Sequence, residues 1–429
     1  MTSITKDKVR KLTEFCIGLS FSERRRGPCE RSSPASGRAD IGVQNLIKIT
    51  DGWECDVYSF DLVTPSTTIP LILRMYMDKP ESQAAIKCRR EFGVMRHLFN
   101  AGYPVPEVFG CQTDATCLGA PFVVMQRICG TTLGRVYAGA SSKERLRVLD
   151  LFTSLFAGLH DLDPAEFDPE TASLSTHLII RKELSEFERY RSFLDNNVFE
   201  PAFSWLGANM HQVKPSRPSI IHYDFHAQNI LVEDTFSQDK DGPQCVNREH
   251  CQQDKGLGKR QNNVFVIDWT QSRVSDFRFD LAWSLLLIGD TEGQAMLESY
   301  RRKPCIGDDS PLHSRGARGA STVTSKGPLK DESTGASRDA SMSASGDDSR
   351  STYRRSAESL DYFIVFACVR RLASIYGSIK HGADRFGMRP GAEEIMKKQT
   401  NHIRRIYHIL TGRSGLELPQ LESWIAQME

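Results

Sequence analysis

The sequence predicts an α+β protein with two lobes, a small β-rich N-terminal lobe and a larger, mainly helical C-terminal lobe. Three observations support this prediction. Short β-rich runs separated by turn residues lie between residues 46 and 127. Long segments with apolar residues at helical spacing dominate the sequence after residue 143. The length of 429 residues is sufficient for two lobes of one unit.

The composition argues against several classes of protein and partner. The 55 Lys and Arg residues nearly balance the 54 Asp and Glu residues, so no nucleic-acid partner is expected. No apolar run approaches the length of a membrane span, and no membrane partner or signal peptide is expected. The eleven cysteines are scattered and odd in number, which predicts reduced thiols and a cytoplasmic location.

Residues 1–44 are predicted to form an N-terminal helix followed by a flexible linker. Residues 5–20 place apolar side chains on one helical stripe, and residues 22–40 are rich in Ser, Arg, Gly and Pro. The stripe consists of Val9, Leu12, Phe15, Cys16 and Leu19.

The N-terminal lobe is predicted to span residues 45–128. It contains five β-rich runs, and a single helical pattern at Glu81–Ala101 has an apolar stripe that should face inward. The predicted strands are Leu46–Thr50, Cys55–Val63, Ile69–Met75, Pro104–Cys111 and Pro121–Arg127.

The C-terminal lobe is predicted to span residues 129–429. Residues 235–262 and 304–355 are polar and poor in large apolar side chains, so we expect them to be disordered insertions. The predicted helical segments are Lys143–Leu162, Ile179–Leu206 as one or two helices, Asp280–Leu287, a helix from Ser359, and further helices at 391–411 and 417–428.

The most informative stretch is Ile221–Leu231, which reads His-x-Asp-x-x-x-x-Asn from His222 to Asn229. Apolar residues on both sides predict a short strand, a tight loop and a second short strand. Downstream, the β-rich run Val264–Trp269 includes a second carboxylate, Asp268. The first pattern fixes only three positions and is weak alone, but the flanking strands and the second carboxylate favour a functional interpretation.

Phosphoryl transfer is the chemistry that suits this spacing, because it requires positioning and charge neutralisation more than covalent catalysis. The same loop occurs in protein kinases, and the roles are taken from there. Asp224 would be the base that accepts the hydroxyl proton, and Asn229 and Asp268 would bind Mg²⁺, which prefers oxygen ligands. His222 is expected to hold the loop by hydrogen bonds, whereas His226 either lies near the substrate or is simply packed.

These segments resemble the aminoglycoside phosphotransferase and choline kinase-like family, whose members have a protein kinase-like fold. The resemblance rests on His222–His226 with Asn229, on Ile267–Trp269 and on Asp276–Ala282. It covers most of residues 45 to 300. In the last segment the family's second Asp, here Asp280, ties the catalytic loop to a helix start.

The resemblance also implies how the phosphates are held. Protein kinases place a Lys on the third strand and pair it with a Glu on the next helix. The matching residues here are Arg74 and Glu91, and some family members also have Arg at the position of Arg74. The alternative is that both residues are ordinary surface charges. The family usually has Gly at the position of Tyr223, but protein kinases have a large residue there, so activity is still expected.

The nucleotide pocket is expected between the lobes. Gly52 lies in a turn whose backbone N–H groups would cover the phosphates, although a plain β-turn is the alternative. Backbone groups from Met125 to Ile128 would meet the adenine edge, and Leu231 and Ile267 would pack against the base unless they are simply core residues.

The sequence therefore predicts a small-molecule kinase that uses ATP and Mg²⁺ to phosphorylate a hydroxyl. The acceptor class is open, because the fold does not fix the substrate. The alternative is a nucleotide-binding pseudoenzyme or interaction module, supported by Arg74, Tyr223 and the long insertions. A protein kinase is disfavoured because Trp269-Thr270 follows Asp268 instead of Phe-Gly.

Overall fold

The computed structural model describes most of both predicted lobes. The described residues are 5–19, 41–49, 55–77, 81–191, 194, 196–233, 264–288, 290–303, 359–386, 388 and 391–428. The predictions for Gly52, for the linker at 22–40 and for the insertions at 235–262 and 304–355 lie outside the described residues.

The described segments form ten strands and thirteen α-helices. The strands are β1 Gly42–Ile49, β2 Cys55–Val63, β3 Thr68–Tyr76, β4 Val108–Gln112, β5 Phe122–Gln126, β6 Gly130–Thr132, β7 Pro218–Ile221, β8 Ile230–Glu233, β9 Val264–Val266 and β10 Arg273–Asp276. The helices are α1 Lys6–Ile17, α2 Glu81–Asn100, α3 Leu133–Gly139, α4 Ser142–Asp161, α5 Pro169–Ala172, α6 Thr176–Arg191, α7 Asn196–Asn209, α8 Phe277–Leu287, α9 Asp290–Arg302, α10 Leu360–His381, α11 Ala392–Lys397, α12 Thr400–Ser414 and α13 Pro419–Ala426.

The N-terminal lobe is a five-stranded antiparallel sheet in the order β1-β2-β3-β5-β4. Alternating side chains of its strands are buried in two layers, because successive residues of a strand point to opposite faces. Helix α1 contributes Leu12 and Cys16 to one layer, and helix α2 packs against β3, β4 and β5. The Oγ1 atom of Thr5 caps α1 by accepting a hydrogen bond from the Lys8 N–H. The five strands and the helix α2 are those predicted, with shifted ends.

The C-terminal lobe is built around helix α10, which packs against α7, α8, α11 and α12. Two small sheets lie beside this helical core, β7 with β10 and β6-β8-β9. The predicted segment Ile179–Leu206 forms two helices, α6 and α7, and residues 391–411 also form two, α11 and α12. The α+β, two-lobed fold class is confirmed.

Helix α10 corrects one prediction, since the sequence does contain a segment long and apolar enough to cross a membrane. The helix has 22 residues, and 78% of its most apolar window is buried inside the protein. Phe363, Phe366 and Leu372 are fully or almost fully buried there. The apolar side chains of α10 are therefore accounted for by packing within the lobe.

Candidate active site

The loop between β7 and β8 is held by the first turn of helix α8. The Asp280 carboxylate accepts hydrogen bonds from two successive loop N–H groups, those of His222 at 2.8 Å and of Tyr223 at 2.6 Å. Asp280 is fully buried, and its charge is compensated by these donors and by the nearby His160 ring. Asp280 thus ties the loop to the helix, as the resemblance implied.

His222 connects this loop to the segment that carries Asp268. Its Nε2–H donates to the Ile267 carbonyl oxygen at 2.9 Å, and its Nδ1 accepts from the Asp224 N–H at 3.3 Å. The ring is fully buried and lies against Trp269. The structural role predicted for His222 agrees with these contacts.

Asp224 lies where three side chains converge on its carboxylate. The Trp283 indole N–H donates to Oδ1 at 2.7 Å. The Asn229 amide N–H lies 3.4 Å from Oδ2, and the His226 ring nitrogen lies 3.6 Å from the same oxygen. Burial raises the pKa of Asp224, but His226, His222 and Arg370 outweigh it and lower the pKa to about 2. Asp224 is therefore ionised at neutral pH.

Asn229 and Asp268 are brought together by the pairing of β8 with β9. The Ile267 N–H donates to the Asn229 carbonyl oxygen at 2.9 Å, which places Asp268 one residue beyond that bond. The Asn229 amide nitrogen also donates to the Asp224 carbonyl oxygen at 3.0 Å, and the amide oxygen is the group of Asn229 that can bind a cation. Two oxygen donors, one from a carboxylate and one from an amide, fit Mg²⁺, which completes its shell with phosphate and water.

Arg74 of β3 contacts its predicted partner Glu91 and also Asp268, a contact that the sequence did not predict. Its Nη2 donates to Asp268 Oδ1 at 2.6 Å, and its Nε lies 3.1 Å from Glu91 Oε2 in an ion pair. The Tyr76 hydroxyl and the Trp269 N–H also donate to Glu91. Burial raises the pKa of Glu91, an effect that Arg74 opposes. The alternative that Arg74 and Glu91 are ordinary surface charges is excluded by their burial, with the Glu91 side chain only 1% exposed.

The hinge follows β5. Met125 is buried and pairs with Ile72 of β3, so its side chain belongs to the core. The next two N–H groups, of Gln126 and Arg127, donate to carbonyl oxygens within the lobe. Ile128 is partly buried, and its backbone N–H forms no hydrogen bond to a backbone carbonyl among the described residues. Of the predicted hinge positions, Ile128 is therefore the one whose backbone N–H is available to the adenine.

Leu231 and Ile267 lie in or directly beside the small sheet whose first strand, β6, follows the hinge in the chain. Leu231 pairs with Thr132 of β6 and with Phe265 of β9. Ile267 directly follows β9, and both side chains are partly buried. Their partial exposure on the β6-β8-β9 sheet is compatible with the adenine contact that the sequence predicts.

Tyr223 has a conformation that explains why glycine is usual at this position in the family. Its φ is +68°, in the left-handed region that a side chain disfavours. Two guanidinium groups lie over the ring, with the Arg370 and Arg273 guanidinium carbons 3.9 Å and 4.6 Å from its centroid. The hydroxyl donates to Glu183 at 2.8 Å. These contacts compensate for the backbone strain.

Sequence reasoning missed Trp283, Glu183 and Arg370 as members of this site. Trp283 lies on α8, three residues after Asp280, and so on the same helix that anchors the loop. That helical spacing was the available signal. Arg370 comes from α10, 147 residues away from the Tyr223 carbonyl oxygen that it binds at 2.9 Å, and no local pattern indicates such a contact.

Comparison with known proteins supports the motif-based resemblance. The model of the phosphotransferase enzyme family, APH, matches residues 45–241. Acyl-CoA dehydrogenase family member 10 of Mus musculus is 23% identical over 253 residues, which is 58% of this chain and 21% of that protein. Acyl-CoA dehydrogenase family member 11 of Gallus gallus is 28% identical over 171 residues, 38% of this chain and 21% of that protein. The chain therefore matches about one fifth of the length of these relatives.

Two solved structures are similar to this chain at low identity. A gentamicin complex of an aminoglycoside phosphotransferase is 15% identical with a TM-score of 0.44, and covers 86% of this chain and 91% of that one. Choline kinase from Cryptosporidium parvum is 10% identical with a TM-score of 0.45, and covers 90% and 93%. The family match over residues 45–241 confirms the resemblance of this chain to the aminoglycoside phosphotransferase and choline kinase-like family.

Proposed function

We propose that this protein transfers the γ-phosphoryl group of ATP to a hydroxyl of a small molecule with the help of Mg²⁺. The observation that carries the proposal is a chain of hydrogen bonds. Asn229 donates to Asp224 and accepts from the N–H of Ile267, the neighbour of Asp268, and Asp268 in turn accepts from Arg74 of the N-terminal lobe. The family match supports phosphoryl transfer in general, and the site supports the assignment of individual roles.

Asp224 is proposed to orient the acceptor hydroxyl and to receive its proton. The Trp283 indole N–H fixes Oδ1, so Oδ2 is the oxygen that would face the hydroxyl. A carboxylate with a low pKa is a weak base, but the transfer is largely dissociative and the proton leaves late. Orientation of the hydroxyl is then the larger contribution of Asp224.

Asn229 and Asp268 are proposed to hold the metal, and Arg74 is proposed to bind the phosphates. Bound Mg²⁺ would supply neutralisation of the charge on the β- and γ-phosphates. Arg74 would exchange its bond to Asp268 for bonds to phosphate oxygens while Glu91 keeps the guanidinium in place. Glu91 is thus a positioning residue.

The remaining parts of the proposal concern the nucleotide and the organisation of the chain. Gly52, Ile128, Leu231 and Ile267 are proposed to contact the nucleotide, with Met125 supporting the hinge from the core. Residues 45–128 would bind the nucleotide, and residues 129–429 would supply the catalytic loop and the acceptor site. A cytoplasmic location is consistent with the described cysteines, which form no disulfide with each other.

The test is ADP release by the full chain with Mg²⁺, ATP and a panel of hydroxyl compounds. Asp224→Asn should lower kcat by at least about 100-fold, because the hydroxyl loses both its orienting group and its proton acceptor. Asp384→Asn, an exposed position in the same lobe, is the matched control and should be fully active. Full activity of Asp224→Asn would contradict the proposal. Nucleotide binding without turnover on any compound would favour the pseudoenzyme.

A further inference from the structure

Arg371 of helix α10 is a charged side chain that lies near Trp283, beside the catalytic loop. Its Nε is buried without a hydrogen-bond partner, and within the described part of the chain it forms no ion pair with a carboxylate. Its guanidinium carbon lies 6.0 Å from the centroid of the Trp283 ring, and the charge of Asp224 acts on it. Because Trp283 also donates to Asp224, Arg371 and the catalytic carboxylate are both neighbours of the same indole.

Cations predominate around Arg371. Arg370 precedes it on α10 and is engaged by the Tyr223 carbonyl oxygen and two aromatic rings. On α12, His402 is within electrostatic range of Arg371 and Arg405. Burial lowers the pKa of His402, and these two arginines lower it further, with no carboxylate opposing them. Among the described residues, the groups that act electrostatically on Arg371 or are acted on by it are thus the basic side chains Arg370 and His402 and the carboxylate Asp224.

The other buried carboxylates around the catalytic loop each have their own donors. Glu183 accepts from the Tyr223 hydroxyl and pairs with Arg273, and Asp280 accepts from the loop N–H groups. Among the described residues, Asp224 is the carboxylate whose charge opposes the effect of burial on Arg371. Asp224, however, is held by Trp283 and is committed to the hydroxyl in the proposed reaction.

A partly buried guanidinium without a partner is costly, since desolvating one ion costs several kcal/mol unless it is paired. Such exceptions to good pairing tend to occur at functional sites. An ammonium group would be repelled at this position. A carboxylate or phosphate would instead gain charge-assisted hydrogen bonds from the fork of the guanidinium.

We propose that the acceptor carries an anionic group, a carboxylate or a phosphate, that binds Arg371 and His402 while its hydroxyl lies against Asp224. This proposal rests on the proposed function and adds the chemical class of the substrate. Arg371 is then the specificity-determining residue, and the anionic group and the reacting hydroxyl both lie near Trp283. Gentamicin and choline, which name two of the similar structures, are cationic and would be poor acceptors here.

The experiment uses two matched sets of hydroxyl compounds that differ in charge. The three-carbon set is glycerate, glycerol 3-phosphate, glycerol and 3-amino-1,2-propanediol; the six-carbon set is gluconate, glucose 6-phosphate, glucose and glucosamine. Each compound is titrated into the full chain with saturating ADP and Mg²⁺, which block the phosphate subsites of the nucleotide. Thermal unfolding reports binding, and ADP release from ATP reports turnover.

The parent should be stabilised at lower concentration by an anionic member of a set than by its neutral and cationic members. Arg371→Gln should raise the concentration of the anionic compound needed for the same rise in Tm by at least about tenfold, because one charged hydrogen bond is lost. Arg371→Lys should retain part of the effect, and Arg385→Gln, an exposed arginine in the same lobe, should retain all of it. Comparison of glycerate with glycerol 3-phosphate, and of gluconate with glucose 6-phosphate, identifies the anionic group.

The inference would be overturned if a cationic member of a set bound most tightly. It would also be overturned if Arg371→Gln bound the anionic member as tightly as the parent does, or if the effect of no anionic member depended on Arg371. Should Arg371→Gln unfold without ligand, Arg371→Lys carries the comparison. Turnover of cationic members alone would uphold phosphoryl transfer and overturn anion recognition. Binding of an anionic member through Arg371 without turnover of any compound would uphold anion recognition and overturn phosphoryl transfer.

Discussion

Arg74 donates a hydrogen bond to Asp268 at 2.6 Å and thereby joins the third strand of the N-terminal lobe to the end of β9 in the C-terminal lobe. The two residues are 194 positions apart in the chain. Glu91 contacts the same guanidinium, so one cation is shared between a buried and a half-exposed carboxylate. The nucleotide phosphates would compete with Asp268 for Arg74, and this competition leads to the first prediction.

Arg74→Met should lower both stability and nucleotide affinity. It leaves the buried Glu91 carboxylate without its cation, which should reduce the free energy of unfolding by about 3 kcal/mol. The KM for ATP should rise about tenfold or more through the loss of a charged hydrogen bond to phosphate. Urea denaturation and steady-state kinetics measure the two effects. Arg96→Met, at an exposed position on α2, is the control, and an equal effect in both variants would be inconsistent with the assigned role.

Tyr223→Phe should be destabilising although the ring is retained. The variant removes the hydroxyl that donates to Glu183, so the free energy of unfolding should fall by about 1–2 kcal/mol. Tyr137→Phe is a matched control, because its hydroxyl donates to Glu292 at 3.3 Å in a more exposed position, and it should cost less.

Tyr223→Gly tests the balance between backbone strain and side-chain contacts at φ +68°. Relief of the left-handed conformation should contribute about 1–2 kcal/mol in favour of the variant. Loss of a buried aromatic ring should cost about 3–5 kcal/mol, so net destabilisation is expected in chemical denaturation. A variant more stable than the parent would show that the two arginines and Glu183 do not hold the ring as described.

Asp280→Asn should disturb the catalytic loop. An amide can accept one of the two loop N–H bonds but turns a donor toward the other, so the free energy of unfolding should fall by about 2 kcal/mol. Because the same bonds position Asp224, kcat should fall more than the KM for ATP rises. Denaturation and kinetics measured on one preparation separate the two effects, and unchanged kcat would dissociate Asp280 from the positioning of the loop.

The parts of this site that follow from local sequence were predictable. His222, Asn229 and Asp268 lie next to short β-rich runs, and strand pairing alone brings them together. The Arg74–Glu91 pair followed from the resemblance to kinases and agrees with the structure.

Contacts that depend on the packing of distant helices were not predictable. Arg370 and Arg371 lie on a helix that follows a long stretch outside the described residues, and their approach to Tyr223 and Trp283 is set by the packing of α10 against α8. The two arginines are adjacent in the sequence, and two adjacent arginines on a helix give no indication of the residues that they contact. The bond between Arg74 and Asp268 was missed for a similar reason, since it depends on how the two lobes meet.

The most direct test of the nucleotide site is thermal unfolding of the parent and Asp268→Asn with ATP, with Mg²⁺, with both and with neither. A ligand that binds only the folded state raises Tm by mass action. The account predicts a rise in Tm that requires ATP and Mg²⁺ together and is lost in Asp268→Asn, with both proteins folded in the absence of ligand. An equal rise in the variant, or no rise for the parent in any condition, would contradict the assignment of Asp268 and the phosphotransferase site.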